Sequence, residues 1–231
     1  MTDADKRIAQ LERKLARVSA ARDEAQRLLE TRSLELYEAL KVAEEARDRL
    51  EKMAHTDPLT GLANRRMLEI TYDRFAAIHL RKDLPFGLIL FDLDSFKPIN
   101  DNLGHEVGDQ VLVELAVRLR QQTRGTDCVA RIGGDEFVIL CTHLSRVEDL
   151  VPISDRIRQC VMKPFKTGQH HSLMSASVGV AVSHPGDSLG QMLRRADEAM
   201  YSSKRSGKNK VTFELEGAYD GGTLGLEGHV S

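Results

Sequence analysis

The heptapeptide Arg131-Ile132-Gly133-Gly134-Asp135-Glu136-Phe137 joins two runs with strand character. The run before it is Asp127-Cys128-Val129-Ala130, and the apolar run after it is Phe137-Val138-Ile139-Leu140-Cys141. Two glycines between strands predict a hairpin, where glycine allows positive φ and lets a ligand approach the backbone closely. The two acids that follow at once can hold a hard divalent cation or move a proton. A surface hairpin with solvated charges is the alternative interpretation.

The composition is that of a soluble protein. Of the 231 residues, 41% are hydrophobic and 29% are charged, which suits one domain plus an appendage or two small domains. The net charge of −2 argues against a nucleic acid polymer or an anionic membrane as partner. The polar N-terminus does not resemble a signal peptide, and no apolar run reaches the roughly 20 residues of a membrane span. We expect a cytoplasmic protein with three reduced thiols, Cys128, Cys141 and Cys160.

Residues 8–53 keep one heptad register. Twelve of the fourteen a and d positions are apolar, the exceptions being Arg22 and Arg32, and no proline or glycine interrupts the run. Seven such heptads predict a coiled coil. A helix of this length reaches roughly 70 Å, and its single apolar stripe has nothing in the same chain to pack on. We therefore predict a parallel homodimer through a stalk of residues 1–54, with a solvated single helix as the alternative.

Asp57-Pro58 ends this helix, because proline cannot continue it and restricts the residue before it. The globular domain is predicted over residues 55–216, with a loop over 95–104. The glycine-rich segment 217–231 is predicted to be disordered. Hydrophobic patterning places helices over 65–81, 105–122, 145–162 and 189–203, and strands over 86–91, 127–131, 136–141, 173–182 and 211–215.

The order of these elements predicts an α+β domain around a ferredoxin-like core, with an antiparallel-containing sheet and helices largely on one face. The first core strand ends in Asp92-Leu93-Asp94, and alternation puts the two acids on one face. Adjacent strands lie about 4.8 Å apart, so these acids and those of the hairpin can share one ion. Polymerase palm domains hold Mg²⁺ against a triphosphate with this layout, although fold analogy alone is weak support.

Several motifs together resemble the GGDEF family of diguanylate cyclases over about residues 55–215. They are the intact Gly133-Gly134-Asp135-Glu136-Phe137, the opening Asp57 to Arg66, and the stretches Phe91 to Asp101, Gly104 to Asp109 and Ala196 to Tyr201. The resemblance implies that two GTP are condensed into cyclic di-GMP with release of two pyrophosphates. Each 3′-hydroxyl must attack the other nucleotide, so the site would form between two domains facing each other across a two-fold axis. The hinge at residues 54–58 would set whether they meet.

The resemblance also implies a metal site. Asp92, the Leu93 carbonyl and Asp135 would ligate Mg²⁺ (or Mn²⁺), which prefers a few carboxylates together with phosphate oxygens. Glu136 would assist the metal or the deprotonation of the ribose 3′-hydroxyl, and which acid is the base stays open. The adjacent acids should titrate as a coupled pair. Asp94 ranks below Asp92, because a structural role is the stronger interpretation.

On the substrate side, the resemblance assigns guanine recognition to Asn100 and Asp109. An amide and a carboxylate meet the O6 acceptor and the N1/N2 donors that adenine lacks. Turn chemistry for Asn100 and a solvated helix position for Asp109 are the alternatives. Phe96 and Lys97 would bring backbone amides and a catalytic cation to the phosphates. The other substrate-side residues are His105, Arg131, which braces the hairpin or touches phosphate, Lys204, and Lys208, which stands where arginine is common.

Arg124-Gly125-Thr126-Asp127 resembles the RxxD inhibitory site that binds product dimers in many family members. Arg156 matches a secondary contact of that site. A salt-bridged turn is the alternative interpretation of the motif. Two other functions stay open at this stage. In the first alternative to the cyclase, the domain is a non-catalytic module that binds GTP or cyclic di-GMP. In the second, the coiled coil recruits partners and the domain is a passenger.

Overall fold

The computed structural model of the chain describes residues 3–82, 84–167 and 170–214. The chain divides into two compact units, Met1–Lys52 and Met53–Ser231. The tail predicted from residue 217 lies outside the described residues.

The described residues form six α-helices, seven strands and one short 3₁₀ helix. The helices are α1 Asp3–His55, α2 Arg65–Lys82, α3 Phe96–Leu103, α4 His105–Gln122, α5 Leu150–Met162 and α6 Leu189–Arg205. The strands are β1 Gly87–Asp94, β2 Cys128–Arg131, β3 Glu136–Cys141, β4 Phe165–Thr167, β5 His170–Ser172, β6 Ser175–Val182 and β7 Val211–Phe213. The 3₁₀ helix is Val147–Asp149.

Helix α1 confirms the predicted N-terminal helix. Its a-position leucines are exposed in the single chain, with Leu15 at 72%, Leu29 at 70% and Leu36 at 65%. Apolar side chains this exposed along one stripe favour pairing with a second helix. None of the described helices combines the length and the apolar character that crossing a bilayer requires.

The main sheet has the strand order β2-β3-β1-β6-β7. The central strand β1 is antiparallel to both β3 and β6, and only β7 joins in parallel, beside β6. Because β1 is central and covered on both faces, its sequence Gly-Leu-Ile-Leu-Phe is continuously apolar up to the acids. Strands β4 and β5 form a separate two-stranded hairpin that the sequence patterning did not predict.

Helices cover both faces of this sheet, so the prediction that they lie largely on one face is wrong. Ile89 and Phe91 point into a core that includes residues of α4 and α5. Leu88 and Leu90 point into a second core that includes residues of α2 and α6. The apolar side chains of β1 alternate between the two cores, as the two-residue period of a strand requires.

The predicted loop 95–104 is wrong, because residues 96–103 form α3. Ser95 adopts a left-handed conformation, with φ of 65°, which turns the chain directly from β1 into the helix. Pro98 stands at the third helical position, where a missing N–H costs nothing. Phe96 is 7% exposed and anchors the first turn in the core. A helix only eight residues long leaves little periodicity to read in sequence.

Candidate active site

The acids of β1 and of the hairpin lie side by side at one end of the sheet. β1 extends through Asp94, so both of its acids belong to the strand itself. Asp92 pairs directly with Glu136 in the antiparallel register of β1 and β3. Asp135 immediately precedes Glu136, and its charge acts on the Asp92 carboxyl. The sheet therefore brings together the acids that the sequence assigned to one site.

The Asp92 carboxyl is only partly satisfied by the protein. Its side chain is 19% exposed, and Lys204 Nζ donates to Oδ2 at 2.9 Å. Burial raises the pKa of Asp92 and the charges of Asp135 and Asp94 raise it further, although Lys204 opposes them. More negative charge converges here than one ammonium neutralises, which is a property of sites that receive a cation.

Asp94 has a structural role, which agrees with its ranking below Asp92 as a predicted metal ligand. It is 6% exposed and accepts hydrogen bonds from Ser175 Oγ at 2.6 Å and Ser177 Oγ at 2.7 Å. The backbone N–H of Asn209 donates to the same carboxyl at 3.1 Å. Asp94 thus ties β1 to β6 and to the turn that follows α6.

Neither hairpin glycine has the positive φ that the sequence suggested. Gly133 has a different role, since a Cβ there would lie 2.5 Å from Glu136 Oε2. A Cβ on Gly134 would meet nothing within 4 Å. Gly133 therefore makes room for the Glu136 carboxylate, whereas Gly134 leaves open space above the hairpin backbone for a ligand.

We expect Gly133→Ala to displace the Glu136 carboxylate with little loss of stability, because the crowded atom is the end of a flexible side chain. If GTP is the substrate, its conversion should fall by about 10²-fold, the scale of a misplaced catalytic group. Gly134→Ala is the matched control for folding. It should melt like the wild type and lose activity through weaker nucleotide binding, seen as a raised KM. Unchanged kinetics in both variants would contradict this view of the hairpin.

Arg131 braces the hairpin. Its Nε and Nη2 donate to the Gly134 carbonyl at 3.0 and 2.7 Å, and its Nη1 donates to both Asp57 oxygens at 3.1 and 3.3 Å. Asp57 also accepts from the Thr60 N–H and hydroxyl. Burial opposes ionisation, but the hydrogen bonds from Thr60 and Arg131 outweigh it and lower the pKa of Asp57. The turn that follows α1 is thereby tied to the hairpin, while contact of Arg131 with phosphate stays a prediction.

The two residues predicted to recognise guanine lie across the junction of α3 and α4. The Asn100 side chain rests against Gly108, where a Cβ would overlap its oxygen. Asp109 is the next residue of α4 and is exposed. The sequence analysis assigned Gly108 no role of its own, although a glycine inside a predicted helix often has a packing reason. His105 lies exposed at the start of α4.

The predicted phosphate ligands approach from two directions. Phe96 and Lys97 open α3, whose first turn presents backbone N–H groups two residues after Asp94, and the Lys97 side chain is exposed. Lys204 lies on α6, which packs on one face of the sheet, and it reaches Asp92 from there. Lys208 lies beyond α6 in a turn with φ of 62°, and its side chain is exposed. Within the described residues, Lys204 is the lysine with a contact to the acids.

The predicted inhibitory residues cluster at the other end of β3. Asp127 accepts from the Arg124 N–H at 2.9 Å and from the Thr142 N–H at 3.1 Å, which is a turn held by backbone bonds. Arg156 donates to the Gln122 carbonyl at 2.9 Å. The charges of Arg124, Asp127 and Arg156 all act on the buried Cys141 thiol, whose pKa burial raises. Asp127 thus holds the turn through backbone hydrogen bonds and not through the salt bridge named as the alternative, and the role of these three residues in inhibition stays a prediction.

Residues 54–210 match the family model for the diguanylate cyclase GGDEF domain. This match spans more than half of the chain, and the chain belongs to the GGDEF family of diguanylate cyclases. The family assignment agrees with the intact hairpin and with the register that pairs Asp92 with Glu136.

Among curated relatives, the bifunctional diguanylate cyclase/cyclic di-GMP phosphodiesterase MucR of Pseudomonas aeruginosa is 35% identical over 164 residues. The response regulator PleD of Caulobacter vibrioides is 37% identical over 164 residues. These alignments cover 70% and 69% of this chain but only 24% and 36% of the two relatives. The chain thus spans about a quarter of the length of one relative and just over a third of the other.

Two crystal structures resemble the fold over most of the chain. The coiled coil and GGDEF domain of DgcB from Caulobacter crescentus, in complex with c-di-GMP, aligns with a TM-score of 0.74 at 30% identity. It covers 80% of this chain and 98% of that one. Diguanylate cyclase SiaD in complex with its activator SiaC, from Pseudomonas aeruginosa, aligns with a TM-score of 0.67 at 34% identity and covers 91% and 86%. The combination of a long helix and a GGDEF domain is therefore shared with solved relatives.

Proposed function

We propose that the chain is a diguanylate cyclase that condenses two GTP into cyclic di-GMP and two pyrophosphates. The observation that carries the proposal is the pairing of Asp92 with Glu136 on adjacent strands, with Asp135 acting on the same carboxyl. A module that only binds nucleotide needs no desolvated acids held against one another. The intact acid pair therefore favours catalysis over binding alone.

The donor set fits a magnesium ion shared with a nucleotide. Within the part of the chain that the structure describes, no three acidic or imidazole groups converge into a complete protein cage. Mg²⁺ seldom uses such a cage and prefers one or two carboxylates together with substrate phosphates. Asp92, Asp135 and the Leu93 carbonyl would hold it. When bound, the ion would neutralise the charge that develops at phosphorus.

The protein groups around this position supply binding and proton transfer. The first turn of α3 offers amides to the phosphates, and Lys97 and Lys204 add cations. Asn100 and Asp109 bind the guanine edge. Asp135 or Glu136 accepts the proton of the ribose 3′-hydroxyl as that oxygen attacks the other nucleotide's α-phosphorus, and pyrophosphate leaves on the opposite side.

Each GGDEF domain carries one half of the reaction, so two domains must meet. The exposed a-position leucines of α1 support pairing of two stalks into a homodimer. Tethering raises the local concentration of the partner domain to the order of millimolar. The Asp57–Arg131–Gly134 contacts then join the turn after the stalk to the hairpin. Stalk register or crossing angle thereby influences whether the acids face a partner domain productively.

Product inhibition at Arg124, Asp127 and Arg156 is the second part of the proposal. The Arg124 and Arg156 side chains flank a turn fixed by Asp127, and Arg156 already donates to the Gln122 carbonyl. A guanidinium can fork to phosphate or stack on guanine, which suits both arginines to the bound product. The turn lies at the opposite end of β3 from Glu136, five residues or about 17 Å away. Inhibition would therefore act on domain arrangement and not by blocking the acids.

We expect Arg124→Ala to raise the cyclic di-GMP concentration that halves activity by at least about tenfold, the scale of a lost charge-assisted contact. The initial rate should stay within twofold of the wild type, because Arg124 is remote from the acids. Arg66→Ala, an exposed arginine on α2, is the matched control and should leave inhibition unchanged. Equal inhibition of the Arg124→Ala variant and the wild type would remove this site from the proposal.

Incubation of the purified chain with GTP and magnesium, followed by chromatography, tests the function itself. Cyclic di-GMP as product supports the cyclase. Tightly bound GTP or cyclic di-GMP without turnover supports the binding module. No nucleotide interaction would favour the role in which the coiled coil recruits partners and the domain is a passenger.

A further inference from the structure

A cavity of about 270 Å³ lies in the GGDEF domain at the end of β1 that is remote from the acids. Its walls come from the C-terminal half of α2, the approach to β1 and the loop after β6. The lining includes the aromatic rings of Tyr72, His79 and Phe86, the small side chain Ala76, and the polar groups of Ser183 and Asp187. None of these residues has a role in the proposed reaction.

The cavity is remote from the acids and shares no lining residue with the predicted inhibitory site. Gly87 opens β1 beside the cavity, and Asp92 lies five residues further along, about 17 Å away. Cys141, beneath the inhibitory residues, belongs to the core that α4 and α5 cover. Tyr72 and Phe86 belong to the core on the other face of the sheet. Because Gly87 pairs with Cys141, the cavity and the inhibitory residues lie at the same end of the sheet, next to cores on opposite faces.

One wall of the cavity is held by a charge network. Arg195 of α6 donates to both Asp187 oxygens at 3.0 and 2.7 Å and to the Val182 carbonyl at 2.7 Å, and it pairs with Glu214. The Tyr72 hydroxyl donates to the Asp187 carbonyl at 2.8 Å. These contacts fix the loop after β6 against α2 and α6. The cavity is thus preformed, which spares a ligand the cost of ordering its walls.

The aromatic rings on the other wall are fixed as well. His79 is 5% exposed, and its Nδ1 lies 2.8 Å from the Leu84 carbonyl. Its ring centroid lies 4.9 Å from that of Phe86, which in turn packs edge-on against Tyr72 at 5.6 Å. Rings in this arrangement accept another ring by offset or edge-to-face contact.

The carboxylate that lines the cavity, Asp187, is already paired within the protein. Burial opposes ionisation of Asp187, but Arg195 and the His184 N–H outweigh it and lower the pKa of that carboxyl. The Arg195 guanidinium is in turn paired with two acids. The described lining residues include no lysine or arginine for an anion, and both Asp187 oxygens are engaged by Arg195, so a neutral ligand is favoured.

The volume of the cavity and its hydrogen-bonding groups restrict the class of ligand further. Since an apolar cavity of about 150 Å³ holds one benzene, the volume here suits two fused rings of about ten heavy atoms. Ser183 Oγ accepts from the Phe86 N–H at 3.1 Å, which leaves the hydroxyl proton for a ligand acceptor. We propose that this cavity is a binding site for a small, neutral, two-ring heteroaromatic molecule that accepts a hydrogen bond from Ser183.

Quinoline, which has ten heavy atoms and one ring nitrogen acceptor, is the probe. Titration of the full chain, followed by methyl NMR, should give saturable shifts at Ala76 and Leu84 with a Kd of roughly 0.1–1 mM, as expected for a fragment of this size. Quinoline-2-carboxylate should bind at least about tenfold more weakly, because its charge finds no free partner. Shifts that spread over the surface without saturation would overturn the proposal.

Two variants test the location. Ala76→Leu places three more carbons in the cavity and should weaken quinoline binding at least about tenfold, whereas Ala20→Leu, the same change on α1, should not alter it. Ser183→Ala should weaken binding about threefold to tenfold, the scale of one hydrogen bond. If Ala76→Leu has a lower melting temperature than the wild type, binding by Ser183→Ala and binding of the carboxylate analogue still test the proposed site. A Kd unchanged in Ser183→Ala and in a folded Ala76→Leu would place quinoline elsewhere and overturn the site.

Discussion

Asp92→Asn is expected to lower conversion of GTP by about 10³-fold, the scale of losing a main electrostatic group, without lowering the melting temperature. The reason is that the fold raises the pKa of Asp92 through burial and the neighbouring acids. A carboxyl whose pKa is raised by folding opposes folding wherever it is ionised, that is, at pH values above its folded pKa. Removal of the charge at neutral pH should therefore maintain or increase stability. Lys204 loses a partner, but its 34% exposure lets the ammonium reach water.

Asp94→Asn is the matched control, since it makes the same chemical change two residues away on the same face. Asp94 is buried and accepts from two hydroxyls and one backbone N–H. An amide cannot satisfy all three donors, and an unsatisfied buried group costs about 1–3 kcal/mol. The melting temperature should fall by about 2–4 °C for each kcal/mol lost. A stable Asp94→Asn together with an unstable, active Asp92→Asn would contradict this assignment of roles.

The second large effect is expected from the stalk. Glutamate at both Leu29 and Leu36 places charge at two successive a positions of the predicted seam. The variant should sediment as a monomer at about 1 µM and lose cyclic di-GMP formation by at least about 10²-fold, since the partner domain falls from an effective millimolar concentration. GTP binding should stay within threefold of the wild type, because each domain keeps its own binding residues.

The same double change at Leu34 and Tyr37 is the control. These two side chains are as exposed as the seam leucines, at 61% and 70%, but they occupy f and b positions on the outside of a paired helix. Their substitution should leave both the oligomeric state and turnover unchanged. A monomeric Leu29/Leu36 variant that turns over GTP at the wild-type rate would exclude a site shared between two domains.

Sequence patterning located elements whose periodicity is long or whose apolar run is continuous. The bounds of α4 and β3 agree with the prediction, and the register that pairs Asp92 with Glu136 follows from the acids standing at strand ends. Sequence patterning did not predict the short elements, because α3 and the β4–β5 hairpin are too short to show a hydrophobic period. The predicted helix 145–162 is divided by a 3₁₀ turn before α5, where Pro152 stands in the first turn. The coverage of both faces was also missed, because the apolar run of β1 indicates a buried strand but does not say which helices cover each face.

Within the site, residue types were predictable but their partners were not. The motifs placed Asp92, Asp135 and Glu136 together, whereas the Lys204 contact to Asp92 joins residues 112 positions apart. The bond from Arg131 to Asp57 spans 74 positions, and no local pattern encodes it. The role of Gly133 was inferred from backbone freedom, yet the structure assigns it to the space that Glu136 occupies. Partners of this kind depend on tertiary packing, which local spacing does not report.

The most direct measurement of the central claim is the magnesium-dependent conversion of GTP by the full chain, compared with Asp135→Ala. Nucleotides would be resolved by chromatography after any bound product has been stripped from the protein. The account predicts cyclic di-GMP and pyrophosphate from the wild type alone, and only when magnesium is present. Absence of product from the stripped wild type, with GTP still bound, would contradict the cyclase and leave a nucleotide-binding module in its place.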